Sequence, residues 1–338
     1  MLQLRDDLDR PVADRDADHG FSPRHAALVL AVLAALAVAA IAVFMTYDLR
    51  GSLAFALELR AKKVAGMALV GTALGVATVL FHTVSGNRIL TPSLMGFDNL
   101  YLLIQTGAAF TFGTFAFLSV DVRLRFGLEV VVMMGFALAL HRLFLGRARD
   151  DVVALLLVGV VLGGMFASLT DLVARLIDPN EYVTLQDQFF ASFATVDEEL
   201  LGVSALAVGA VLVYVWRRTA RLDVLALGRD TAVGLGVDHT RTVDRVLMVV
   251  ALLVSVATAL VGPITFLGLL VSNLAYRLVG TFRHRWTLPS AALAGVVALI
   301  GAQFAIEEYF AFETRASIVI SFIGGTYFII LLLREART

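Results

Sequence analysis

The side chains that could do chemistry are few, and their spacing excludes most of it. The chain has no cysteine, which rules out disulfides, thiol catalysis, iron–sulfur clusters and thiolate metal sites. Its only lysines are Lys62 and Lys63, so no Gly-x-x-x-x-Gly-Lys-Ser/Thr loop can hold a nucleotide phosphate. Neither Gly-x-Ser-x-Gly nor His-Glu-x-x-His occurs, so the usual nucleophile and metalloprotease signatures are missing. No His/Asp/Glu group has metal-ligand spacing, so no metal is expected to be bound directly by this chain. Polar residues that stand alone inside apolar runs include His82, Asn99, Gln105 and Asp171. A carboxylate deep in lipid costs on the order of 3 kcal/mol, so Asp171 is expected near a surface, paired with Arg175 one turn on. His82, at a span end, reads as interfacial.

The other chemically distinctive feature is in the backbone. "VGPITFLGLL" (261–270) sets Gly262-Pro263 inside an apolar stretch. Pro263 removes a donor and bends the chain. In a membrane, freed carbonyls are tolerated only where protein or a water-filled cavity satisfies them. The break therefore lines a pathway or is a short surface turn between two helices.

These residues must be positioned by membrane helices. Of 338 residues 59% are hydrophobic and 16% charged, and the mean hydropathy is +0.86. Repeated runs of about 20 apolar residues cross a bilayer as helices, and no ten-residue alternation suggests a membrane barrel. The pattern predicts an all-α polytopic membrane protein with about ten spans, near 25–47, 61–82, 98–118, 124–145, 151–176, 200–216, 242–261, 265–279, 288–306 and 316–333. Residues 1–24 are charged, mixed in sign and hold Pro11 and Pro23, which reads as a disordered cytoplasmic tail. Ten spans put both termini on one face. That face carries Arg88, His141, Arg142, Arg147, Arg149, Arg217, Arg218, Arg221, Arg229, Arg241, Arg245, Arg283, Arg285, Arg334 and Arg337, while Asp178, Glu181, Asp187, Asp197–Glu199, Glu307, Glu308 and Glu313 fall opposite. Basic loops are retained in the cytoplasm, so the termini are expected there. The loop with Arg50, Arg60, Lys62 and Lys63 breaks this rule. It either serves a partner outside or snorkels into headgroups. The net charge of −1 gives no field for nucleic acid.

The segment "TARLDVLALGRDTAVGLGVDHTR" (219–241) reads as two short helices closed by Gly228 and by Gly234 or Gly236. Its apolar residues would be costly in water. They suit either docking into a partner's groove or lying on the headgroups.

Ala226-Leu227-Gly228, then Ala232 with Leu235-Gly236, then Gly262-Pro263-Ile264, Phe266, Gly268 and Leu269 resemble the permease subunits of FecCD-type (type II) ABC importers for iron-siderophores, haem and cobalamin. The likeness extends through 87–113 and 321–334. The chain departs from that pattern at Ser272-Asn273, where the family has Pro-His, and at Gly324-Gly325-Thr326, where it has Gly-x-Pro. Together with Leu94–Asn99 these variants resemble the catecholate or petrobactin branch.

The resemblance implies a type II permease fold over 25–338, with cytoplasmic coupling helices at about 221–238. It implies ATPase-coupling roles for Leu222, Leu225, Leu227, Gly228, Ala232, Leu235 and Gly236. It implies contacts of Arg60 and Lys63 with an extracellular binding protein, and a translocation pathway or gate at Gly96, Asn99, Gly262, Pro263, Phe266 and Gly268. The implied assembly is a second permease, identical or related, and two cytoplasmic ABC ATPases that hold ATP and magnesium, in the lipid of a bacterial cytoplasmic membrane. No cofactor is expected on this chain, which is a transport subunit and not an enzyme. Haem or cobalamin import is the alternative within the family. An ion-coupled carrier would need acidic or histidine relays at midplane, and glycines in 71–75, 159–164 and 204–210 read as helix contacts.

Overall fold

The computed structural model describes residues 22–48, 52–145, 152–186, 189–194, 196–309 and 316–335. The expected tail up to residue 21, and Arg50, Arg147, Arg149, Asp187, Glu313 and Arg337, lie outside the described residues.

Every expected span is helical, the third as two helices. In chain order the elements are α1 (Pro23–Thr46), α2 (Leu53–Ser85), α3 (Phe97–Phe112), α4 (Thr114–Leu118), α5 (Val122–Leu145), α6 (Val152–Ala174) and α7 (Pro179–Gln186). They continue as α8 (Glu198–Trp216), α9 (Thr219–Leu225), α10 (Arg229–Gly234), α11 (His239–Val261), α12 (Leu267–Val279), α13 (His284–Tyr309) and α14 (Ala316–Glu335). Among the described residues no strand occurs. By length and composition, α1, α2, α6, α8, α11 and α13 can each cross a membrane, and α12 and α14 hold shorter apolar stretches.

Two boundaries depart from the hydropathy pattern. Helix α2 begins at Leu53 rather than near 61, because Lys62 pairs with Glu58 one turn earlier at 2.8 Å and carries the helix through its charged part. Its 33 residues make a rod of about 50 Å at 1.5 Å per residue. The third span is not continuous: Gly113, at φ 84° and ψ 142°, separates α3 from α4.

Helix α2 is the centre of the bundle, with α13, α11 and α12 packed around it. The α2–α13 contact is backbone on backbone. A Cβ placed on Gly71 would lie 2.6 Å from the Gly295 carbonyl carbon, and one on Gly75 would lie 2.6 Å from the Ala291 oxygen. Such contact is how membrane helices gain dispersion energy where lipid offers no hydrophobic drive. Helices α3 and α6 form a second close pair, and the turn leading into α3 packs on α6 as well, Met95 against Gly159 and Gly96 against Gly163. Not every glycine serves this way: Gly164 and Gly209 face open space.

The stretch after α2 folds back into the protein. Gly86, at φ 64°, closes α2 in the left-handed conformation. The Arg88 carbonyl then accepts from Asn273 Nδ2 at 3.0 Å. A 3-10 turn (Pro92–Met95) delivers the chain to α3.

Candidate coupling and translocation sites

The break of 262–266 sits between α11 and α12 and is packed on several sides. Gly262 takes φ 99°, and a Cβ there would come 3.1 Å from Ala191 Cα. The Val261 carbonyl, freed at the helix end, accepts from the Ser192 N–H at 2.8 Å. Pro263 and Ile264 are buried. Phe266 is a non-glycine residue at φ 65°, a conformation costing on the order of 1–3 kcal/mol. It persists because the ring is held 5.7 Å from Phe328 and its Cβ abuts Gly324, both of α14. Gly268 packs onto Thr78 of α2 with no room for a side chain.

The structure brings the two motif segments together. Thr265 Oγ1 donates to Asp98 Oδ2 at 3.0 Å. Asp98 is 9% exposed, at the head of α3 beside Gly96 and Asn99. Ser321 of α14 donates to the Thr265 carbonyl. One break residue thus ties α3 to α14, with α2 beneath Gly268. Asn99 approaches Gly163 of α6 through its Nδ2.

At the other end of α12, helices α9 and α10 form a compact pair with two unlike faces. Leu222, Leu225 and Ala232 are at most 3% exposed, while Leu227, Val233 and Leu235 are 49–61% exposed. The named residues therefore divide by face. Leu222, Leu225 and Ala232 seat the pair on the bundle, because a short helix without an apolar anchor would not hold its place. Leu227 and Leu235 face solvent, and Val233, which the motif passed over, joins them. Gly228 and Gly236 sit at φ 92° and 81° with nothing near them, turns that residues with side chains take up only under strain.

Arg60 and Lys63 are not free rim cations. Arg60 donates to the Phe44 and Tyr47 carbonyls at 2.7 and 2.6 Å, capping α1. Lys63 is 8% exposed and pairs with Glu307 at 2.7 Å. Gln303 donates to the same carboxylate at 2.9 Å. Lys62 is bridged to Glu58 and to Glu198 of α8. Three other expectations are corrected. Asp171 and Arg175 make no ion pair with each other, and both are exposed. His82 is buried, its Nε2 2.8 Å from the Leu90 carbonyl oxygen, where the returning loop supplies an acceptor. The spans also hold an acid that the sequence reading overlooked: Glu129 of α5 is 3% exposed and accepts from Gln105 Nε2 at 2.7 Å. The charged head of α5, "VRLRFGLE", was the signal for it.

The bundle has several helices long and apolar enough to cross a membrane, a packed break between α11 and α12, and a pair of short helices turned two ways at one end. The chain belongs to the FecCD transport family, whose family model matches residues 26–334. It is 44% identical over 309 residues to the petrobactin import system permease protein YclO of Bacillus subtilis, covering 91% of this chain and 98% of that one. It is 32% identical to the petrobactin import system permease protein FatC of Bacillus anthracis, over 80% of this chain and 77% of that one. Against the ferric enterobactin permease FepD of Escherichia coli the identity is 31%, over 82% and 80%. A solved inward-facing ABC transporter assigned to the metal-chelate type shares the fold, with a TM-score of 0.74 at 22% identity, over 91% of this chain and 99% of that one.

Proposed function

We propose that this chain is the membrane-spanning subunit of an ATP-driven importer that carries an iron–siderophore complex of the catecholate or petrobactin type across a bacterial cytoplasmic membrane. The observation that carries the reading is the two-faced pair α9–α10. Leu227, Val233 and Leu235 stand in solvent on a stub that is itself anchored, and an apolar patch presented in this way suits a partner's groove. The chain has no phosphate-binding lysine loop, so the partner is an ATPase that holds ATP and magnesium itself. The YclO and FatC likenesses support the cargo.

Two permease copies, or this chain and a related one, enclose the pathway, and two ATPase subunits grip segment 221–238 by its outward face, at Leu227, Val233 and Leu235. Both termini lie on that cytoplasmic side. A loaded binding protein docks on the opposite rim, where Arg60 keeps part of its surface and Lys63 braces the rim from behind. Rim charge of this kind speeds and orients encounter. ATP binding closes the ATPases, moves α9–α10, and opens the pathway inward. Gly262, Pro263 and Phe266 form the hinge at which α12 turns, Gly268 keeps it close to α2, and Gly96 and Asn99 hold α3 against α6. Recognition is left to the binding protein.

Uptake of radioiron-labelled chelates by cells lacking the chain is the test. Loss of petrobactin or catecholate uptake alone is the expected result. Loss of haem uptake instead transfers the assignment to the haem branch, and unchanged uptake of every chelate overturns the reading.

A further inference from the structure

Asp223 is a polar residue of α9 that reaches the start of α13. Its Oδ1 accepts from the His284 backbone N–H at 2.7 Å and meets His284 Nδ1 at 2.6 Å. His284 opens α13 and is 1% exposed. Its Nε2 lies 2.7 Å from Thr83 Oγ1, in the last turn of α2. Thr83 also donates to the Val79 carbonyl at 2.9 Å. A hydrogen-bonded chain therefore runs from α9, through the start of α13, into the end of α2. The carboxylate also sits at the N-terminus of a 26-residue helix, where the helix dipole favours negative charge.

The fully buried anchors of α9 are apolar. Leu222 and Leu225 bury surface without fixing an angle, because the hydrophobic effect has no direction. Charge-assisted hydrogen bonds do have one. Beyond the tie, α2 and α13 are locked by the contacts of Gly71 with Gly295 and of Gly75 with Ala291. Close-packed helices move as a body rather than deforming.

We propose that Asp223, His284 and Thr83 are the tie through which displacement of α9–α10 turns the α2–α13 pair, with His284 the positioning residue at its centre. This rests on reading α9–α10 as the ATPase docking element. None of the three residues belongs to the outward apolar face, so losing the tie leaves docking and ATP hydrolysis in place and wastes the hydrolysis.

The complete importer, this chain with its ATPase and binding protein, is reconstituted in liposomes, and ATP hydrolysis and chelate uptake are measured on the same vesicles. Asp223→Asn, His284→Phe and Thr83→Val keep the ATPase at the wild-type ratio. Uptake per ATP falls about ten-fold, the scale of one lost charge-assisted hydrogen bond. Thr83→Ser restores uptake. Asp223→Asn combined with His284→Phe falls no further than either alone, because the residues act as one unit. Unchanged uptake per ATP in Asp223→Asn overturns the tie, and that variant decides the matter if His284→Phe fails to accumulate. Leu235→Glu separates the two readings. Loss of the ATPase in that variant, with normal coupling in the tie variants, overturns the tie alone. Retention of the ATPase overturns the docking reading and the tie with it.

Discussion

The Lys63 ammonium stands 2.7 Å from the Glu307 carboxylate, with both side chains largely withdrawn from solvent, and so joins the start of the spanning part of α2 to the end of α13. A buried pair of this kind adds little net stability, but breaking it strands a charge at a cost of about 3–5 kcal/mol. Lys63→Met should therefore lower the thermal stability of the detergent-solubilised protein strongly. Lys63→Met with Glu307→Leu should recover most of the loss. Equal stability of single and double variants would show that the pair does not hold the rim.

The glycines of the central helices divide into two kinds, and substitution should sort them. At Gly71 an added methyl meets the Gly295 backbone at 2.6 Å, while at Gly107 and Gly301 it meets nothing within 4 Å. Overpacking costs about 1–3 kcal/mol or more where neither backbone can retreat. Gly71→Ala should destabilise by at least that amount. Gly107→Ala and Gly301→Ala should be neutral or slightly stabilising, since alanine suits a helix better than glycine. Thermal unfolding of the purified variants measures both.

The same contrast shows how far the sequence could be read. The helices were legible because lipid forces about 20 apolar residues into each span, and the break because Gly262-Pro263 cannot continue one. The two short helices α9 and α10 were legible from Leu/Gly punctuation, but not the division of their faces. Six- and seven-residue helices have too little periodicity to say that Leu225 turns inward and Leu235 outward. Long-range polar pairs were not legible at all. Gln105 finds Glu129 across 24 positions, and Asp223 finds His284 across 61. Each of those residues alone looks like an isolated polar side chain.

The inward and outward leucines of the docking pair should respond in opposite ways to charge. Leu225→Glu puts an unpaired carboxylate where the side chain is 3% exposed, at a cost of several kcal/mol, and folded protein should fall sharply. Leu227→Glu and Val233→Glu alter exposed positions and should fold normally. They should copurify little or no ATPase. Size-exclusion profiles of the permease alone, followed by pull-down of the ATPase, distinguish the two outcomes.

Asp98 and Thr265 are the one direct polar link described between the head of α3 and the break. Removing the acceptor leaves the partly buried Thr265 hydroxyl without this partner, at up to about 1 kcal/mol. Asp98→Ala should loosen the strained turn at Phe266 more than it loosens the bundle. Hydrogen exchange of the 262–268 amides should accelerate, while amides in α2 stay protected. Uniform acceleration across both would assign Asp98 to global stability instead.

Acid should reveal the charge on Asp223. Burial pushes this carboxyl up, but the two hydrogen bonds it receives from His284, with the nearby Arg283 guanidinium, outweigh that and hold it below its ordinary value. A carboxyl depressed in the folded state takes up its proton more readily when unfolded. Its contribution is therefore fully present above the unfolded value of about 3.9 and is lost as pH falls through the lower folded value. The stability difference between the wild type and Asp223→Asn should accordingly be level above about pH 5 and shrink as pH falls below about 4. Chemical unfolding across that range measures it, and because the residue is partly exposed, salt should reduce the difference. A difference independent of both pH and salt would mean that Asp223 holds His284 by shape, and that its charge is idle.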